Sequence, residues 1–319
     1  LPMPARVARQ AAVPAGAAPL PTPHGPAPGP RSPPPPRGAR RARHMFLLPG
    51  PPRELHPMVR EHMLPKLRAL LPPSSLRERR VYRLTGIGES QVEQLLGEKL
   101  EARGDLEIGY CARPSEVDFR LIGTPAALDE AEPLVESLVG EWIYSRGASL
   151  GESVVAALRA DKLTLSVAES CTGGLLADRI TDVPGASEVF LAGYVTYANE
   201  SKISALGGPR DLLAAHGAVS EPVAAAMAEG ARRAAGSRLA LATTGIAGPG
   251  GGSDAKPQGT VYVALAAEGC PTAVRRCYFP MDRATFKRMA TSAALDLLRR
   301  HLRGLPLELG GGSAIPCLG

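Results

Sequence analysis

The sequence predicts an α/β protein: a layered α/β domain at the C-terminal end, preceded by a small α+β module and a tail without regular structure. Three observations carry that prediction. From Ser149 onward, helical stretches alternate with short apolar runs, the pattern of helices laid on a sheet. Residues 80 to 147 read strand, helix, strand, strand, helix, enough for a module with its own small core. Residues 1 to 44 hold 13 of the 32 prolines and seven arginines but no lysine and no acid.

Taken in order, residues 1 to 44 bury too little apolar surface to offset the entropy of ordering, so they are expected to be disordered. Their PPPP run is either a polyproline ligand or part of a foreign upstream sequence. Residues 45 to 79 begin with MFLLPGPP, a short apolar strand stopped by a Pro/Gly turn. A broken helix over 53 to 70 follows, with Leu55, Met58, Val59, Met63, Leu67 and Leu70 at helical spacing. In the module of residues 80 to 147, LEIGYCA and VDFRLIG form a hairpin, and ESQVEQLLGEKLEARG and AALDEAEPLVESLVGEWIYS are helices over one face. The GIGE at 86 to 89 reads better as a capped helix start than as a phosphate clamp.

Residues 148 to 303 form the main domain. SLGESVVAALRADK and TGGLLADRITD are helical around the strand LTLSVAES, and AGYVTYAN is the next strand. Further helices run through SKISALG, RDLLAAHG and SEPVAAAMAEGARRAAG. LALATTG, GTVYVALAAEG and AVRRCYFP complete the strands, and a long helix runs from Arg283 to about Leu302. Residues 304 to 319 are expected to be a flexible tail.

Composition excludes several functions. The formal charge is +6, but the seven arginines of the tail account for all of it and leave −1 for residues 45 to 319. A near-neutral folded part with 13 aromatics lacks the basic and aromatic interleaving of a nucleic-acid platform, which argues against nucleic acid as a partner. No run of 18 apolar residues offers a membrane span, and prolines interrupt every candidate secretory core. Five scattered cysteines without a CxxC pair fit free thiols in a reducing cytoplasm. The histidines form no metal motif, so neither a metal nor another cofactor is expected.

Three segments carry candidate chemistry. In AESCTGG, where a strand runs into a helix, Ser170 and Thr172 either cap the helix or help seat an anion on its first amides. Ser187, followed by Tyr197 and Lys202, is either a turn serine beside a strand tyrosine and a solvated lysine, or a nucleophile with a base. The second reading requires a lysine pKa well below its usual ~10.4. Ten residues of straight strand would separate Ser187 from Tyr197 by roughly 33 Å. Sharing a site therefore requires the chain to reverse, with a helical turn from Ser187 to about Leu191 and strand only over Gly193 to Tyr197, or else a subunit contact. TTGIAGPGGGS, with Thr244, is a glycine-rich loop beyond a strand end, without a P-loop or dinucleotide signature. Arg283 opens the last helix, either as a surface residue or as a fork for phosphate.

The segments AESCTGGLLADRITDVPGAS, GYVTYANESK, HGAVSEPVAAAMAEGA, TTGIAGPGGGSDAKPQGTVYVA and FPMDR strongly resemble, in order and spacing, the CinA C-terminal family, the nicotinamide-nucleotide amidases. Residues 80 to 147 resemble the KH-type middle module of full-length CinA proteins. MFLLPGPPRELHPMVREHMLPKL resembles the end of their molybdopterin-binding-like N-terminal domain. The resemblance implies hydrolysis of a small nucleotide, nicotinamide mononucleotide, to nicotinic acid mononucleotide and ammonia, without cofactor, in a cytoplasmic homo-oligomer. The pyrophosphatase activity of the N-terminal domain is expected to be missing, since one strand and one helix do not make its site.

The resemblance further implies Ser187 as nucleophile, Lys202 as base and Tyr197 as assisting hydroxyl, with Ser170, Thr172, Thr244 and Arg283 in the substrate pocket. Donors near Ser170 and Thr244 would hold the oxyanion, and Arg283 or the helix-start amides near Thr172 would hold the phosphate. Three other readings compete: a hydrolase of a different amide or nucleotide, a non-enzymatic protein linked to competence or DNA damage, and a degenerate protein made unstable by the exposed apolar face of the helix at 53 to 70.

Overall fold

The computed structural model describes residues 12–21, 29–32, 44–71 and 77–308. It divides into two units, residues 1–77 and 78–319. In the first unit, β1 (Ala18–Leu20) and β2 (Gly29–Arg31) pair antiparallel. These described residues correct the expectation of a structureless tail; the other residues before 44 lie outside the described set. Phe46 makes a single bridge to Arg31 where a strand was expected. The broken helix is observed as α1 (Pro52–Pro57), a π-helical segment (Met58–Met63) and α2 (Leu64–Leu70). Pro57 and Pro65 lack the amides that a regular α-helical ladder requires.

The second unit opens with β3 (Glu78–Thr85), α3 (Glu89–Glu101), β4 (Glu107–Arg113), β5 (Glu116–Gly123), α4 (Pro125–Val139) and β6 (Ile143–Ser145). Its sheet has the order β4-β5-β3-β6. Leu96, Leu100, Leu128 and Val135 of the two helices pack with Tyr82, Leu84, Phe119 and Leu121 of the sheet, so both helices share one core with the strands. Gly88 does cap α3, its amide donating to Gln91 Oε1 at 3.1 Å. The IYS segment, expected to extend the second helix, is the edge strand β6; Gly140 ends α4 before it.

The larger α/β layer contains α5 (Leu150–Ala160), β7 (Leu165–Glu169), α6 (Leu175–Thr181), a 3-10 turn (Ala186–Glu188) and β8 (Phe190–Val195). These are followed by α7 (Asn199–Leu206), α8 (Arg210–His216), α9 (Glu221–Ala235), β9 (Leu239–Gly245), β10 (Thr260–Ala267), β11 (Ala273–Tyr278) and α10 (Arg283–Leu302). The sheet order is β11-β10-β9-β7-β8, with β7 parallel to both β8 and β9, and β10 antiparallel to β9 and β11. Every residue of β7 is buried, as expected for a central strand covered on both faces.

On one face, Val154 and Leu158 of α5, Ile180 of α6 and Phe286 and Leu298 of α10 pack on Val167, Leu241 and Val263. On the other, Val223, Met227 and Ala231 of α9 pack on Ala168, Ala242 and Ala264. The alanines there let α9 lie close to the sheet. Helix starts are fixed by side chains: Ser149 and Glu152 form a reciprocal cap on α5, and Asp282 accepts from the amides of Ala284 and Thr285 on α10. The expected flexible tail is pinned at its beginning, where Leu307 O accepts from Arg275 Nε at 3.1 Å. Residues 309 to 319 lie outside the described set.

Candidate active site

The parallel strands β7, β8 and β9 present their carboxyl ends along one edge of the sheet, where open α/β sheets hold ligands. Ser170 follows β7 directly and is anchored through its amide to Thr243 O at 2.9 Å. Lys202, on the first turns of α7, folds back toward that serine. It is only 2% exposed, and its Nζ lies 3.2 Å from Ser170 Oγ. The same nitrogen donates to Thr196 O at 2.8 Å and Tyr197 O at 3.3 Å. Burial pushes the Lys202 pKa below the usual lysine range, and the neighbouring Cys171 and Glu200 only partly counter it. Cys171 is no rival nucleophile, because burial pushes its thiol up to about 12.

Ser187 is elsewhere. It sits in the 3-10 turn before β8, exposed, whereas Lys202 lies beyond the other end of that strand. β8 alone rises roughly 16 Å between them. The expected reversal does occur as a short helical turn, but strand runs from Phe190 to Val195 and carries the chain away from Ser187. The pairing of Ser187 with Lys202 within one chain is therefore corrected: the serine beside the lysine is Ser170.

Tyr197 lies after β8 rather than within it, 61% exposed, and its hydroxyl accepts from Arg283 Nη2 at 2.8 Å. Arg283 also donates to Gly248 O at 2.8 Å, tying the glycine-rich loop to α10. Gly248 has φ +73°, and a Cβ there would collide with Gln258, so the loop needs glycine at that point. Thr172 and Thr244 are fully buried. Thr172 Oγ1 shares a hydrogen bond with Thr243 Oγ1 at 2.7 Å, and Thr244 Oγ1 donates to Ala218 O at 2.7 Å. Their hydroxyls brace the strand ends.

Sequence reasoning missed Glu169. Its carboxylate is fully buried and accepts from the amides of Gly174 and Leu176 at 3.0 Å and Ala177 at 2.8 Å. The amides at the start of α6, expected to seat an anion, are thus already occupied by an acid of the protein itself. Those of Cys171, Thr172 and Gly173 lie outside this clamp. The signal was present in the sequence as an acid at a strand end just before a glycine pair. A cavity of about 730 Å³ lies elsewhere, between the Gly86–Glu89 turn and β11, and contains neither Ser170 nor Lys202.

Two family models match this chain in succession. Residues 79–144 match the damage-inducible protein CinA KH domain, and residues 147–302 match the CinA C-terminal domain. The chain belongs to the CinA family. Among CinA relatives, a CinA-like protein of Akkermansia muciniphila is 48% identical over 251 residues, covering 78% of this chain and 60% of that protein. A putative competence-damage inducible protein of Moorella thermoacetica is 44% identical over 265 residues, covering 81% of this chain and 64% of its own length. The chain thus spans less than two thirds of these CinA relatives. A CinA superfamily structure from Klebsiella pneumoniae is 35% identical, with a TM-score of 0.47, and the alignment covers 48% of this chain and 96% of that one. Among the described residues, no helix is long and apolar enough to cross a membrane.

Proposed function

We propose that this CinA-family chain is a nicotinamide-nucleotide amidohydrolase, converting nicotinamide mononucleotide to nicotinic acid mononucleotide and ammonia, with Ser170 as nucleophile and Lys202 as base. The observation that carries the reading is the buried Lys202 Nζ at 3.2 Å from Ser170 Oγ. A neutral amine has two N–H groups and one lone pair. The carbonyls of Thr196 and Tyr197 take the two N–H groups, which turns the lone pair toward the serine hydroxyl. Burial favours that neutral form.

In this mechanism Ser170 Oγ attacks the carboxamide carbon as its proton passes to Lys202 Nζ. The amides of Cys171, Thr172 and Gly173, left outside the Glu169 clamp, are the donors for the developing oxyanion; one well-aimed donor contributes about 3 kcal/mol in comparable enzymes. Lys202 then returns the proton to the departing nitrogen, and water resolves the acyl-enzyme with Lys202 as base again. The cationic Arg283 at the rim suits an anionic substrate, and its link to Tyr197 holds that ring beside the entrance.

The experiment is ammonia release from nicotinamide mononucleotide by the wild type, Ser170→Ala and Ser187→Ala. The S170A variant is expected to lose roughly 10⁴-fold or more, the scale on which nucleophile removal acts in serine hydrolases. The S187A variant is expected to retain near-normal turnover. The opposite pattern would overturn the assignment, and absence of turnover by the wild type would overturn the substrate. Other carboxamides, run in the same assay, test the choice of pyridine nucleotide.

A further inference from the structure

The first two turns of α10 bring two cations to the site. Arg283 and Lys287 are four residues apart and so share one face of the helix. Arg283 is already engaged, with one guanidinium nitrogen on Gly248 O and another on Tyr197 Oη. Lys287 is half-buried and reaches the turn after Ser170, where a Cβ built on Gly173 would stand 3.7 Å from its Nζ. Among the described residues Lys287 has no ion-pair partner. The acids flanking these segments are spent on backbone amides, Glu169 on α6 and Asp282 on α10 itself. An unspent positive charge therefore stands beside the nucleophile's own turn, and the α6 amides that would otherwise attract an anion are already taken.

We infer that Lys287 is the residue that recognises the substrate's phosphate, with Arg283 as the strut that holds Tyr197 and the glycine-rich loop in place, so that the enzyme selects the nucleoside monophosphate over the nucleoside. This rests on the amidase reading of Ser170 and Lys202. A compact ammonium with freely turning N–H donors suits a terminal phosphate approached along the Gly173 turn, where the glycine leaves backbone without a side chain in the way. Arg283 keeps its charge, but with donors committed to a carbonyl and a hydroxyl it has fewer N–H groups free for a phosphate and more to position.

The test uses the full chain as wild type, Lys287→Gln and Lys287→Arg, each checked for an unchanged thermal transition. kcat/KM is measured for nicotinamide mononucleotide and for nicotinamide riboside, and ribose 5-phosphate binding is measured by calorimetry. K287Q is expected to cut the monophosphate-to-riboside preference at least tenfold, through KM, and to weaken ribose 5-phosphate binding by a similar factor; K287R is expected to restore most of both. An unchanged preference with unchanged ribose 5-phosphate affinity overturns the inference while leaving the amidase reading intact, as does a wild type that binds no ribose 5-phosphate. A wild type that hydrolyses neither amide but binds ribose 5-phosphate through Lys287 keeps the phosphate site and removes the amidase.

Discussion

At position 202 a lysine is held where its charge is unwelcome, and that makes two pH dependences predictable. The folded-state pKa is lowered by burial, so kcat/KM should fall on the acid side as the amine protonates through that value, and a pH–rate profile reads it. For stability the sign follows from proton counting. Between the lowered folded pKa and the ordinary unfolded one, the unfolded chain binds more protons, so stability rises with pH across that window. The penalty is full below the folded pKa and disappears toward ~10.4. The thermal transition of the wild type should therefore gain on that of Lys202→Met as pH rises toward ~10.4. A difference that stays constant would mean Lys202 titrates normally. Lys202 and Tyr197 were singled out through the family resemblance, since their spacing alone also fits a solvated lysine and a strand tyrosine; the orientation of Thr172 and Thr244 was not legible. Whether a hydroxyl at a strand end faces ligand or core depends on the partner across the sheet, such as Thr243 or Ala218, which spacing does not supply.

At the scale of elements, the separation of Ser187 from Lys202 has a topological cause. A strand, helix and strand in the order β7, α6, β8 make a parallel crossover, which returns the chain to the amino edge before the next strand starts. Residues before β8 therefore belong to the opposite edge from residues after β7, and once the pair is taken as parallel the serine that shares an edge with Lys202 is Ser170 rather than Ser187. Apolar strands and capped helices were readable because their signals are local, as with α10, which begins at Arg283 as expected. The edge strand β6 was not, because three residues beside a helix end carry little periodicity. The Glu169 clamp also acts at this scale, since it fixes the start of α6 and with it the turn bearing Ser170. Glu169→Ala would leave three amides without their acceptor, at a cost of about 3 kcal/mol even with partial replacement by water. Urea unfolding measures this, and a loss under about 0.5 kcal/mol would show that water substitutes fully.

Over the whole second unit, the KH-like module is fastened to the α/β layer by four arginines, of which Arg299 and Arg300 are buried. Arg179, on the helix that Glu169 clamps, donates to Glu116 at 3.1 Å and to Thr291 and Ser292 of α10 at 3.0 and 2.8 Å. Glu116 also accepts from Tyr144 at 2.7 Å. Toward the C-terminal end of α10, Arg300 pairs with Glu141 at 2.6 Å, Arg299 reaches Glu141 O at 2.9 Å and Arg303 reaches Ile143 O at 2.7 Å. Arg300 is only 1% exposed while Glu141 is 39% exposed, so the two ends of this pair differ in what their loss entails. Removing the carboxylate with Glu141→Gln leaves a buried guanidinium without its counter-charge, and should cost about 3 kcal/mol, the low end for a broken buried pair because solvent reaches the glutamate side. Replacing both partners, Glu141→Gln with Arg300→Met, removes the stranded charge and should recover most of that loss, since an apolar side chain of similar length tolerates burial. Urea midpoints of the wild type, single and double variants separate these outcomes. A double variant no more stable than the single one would mean that Arg300 contributes through its bond to Pro306 O and its packing rather than through the ion pair to the module.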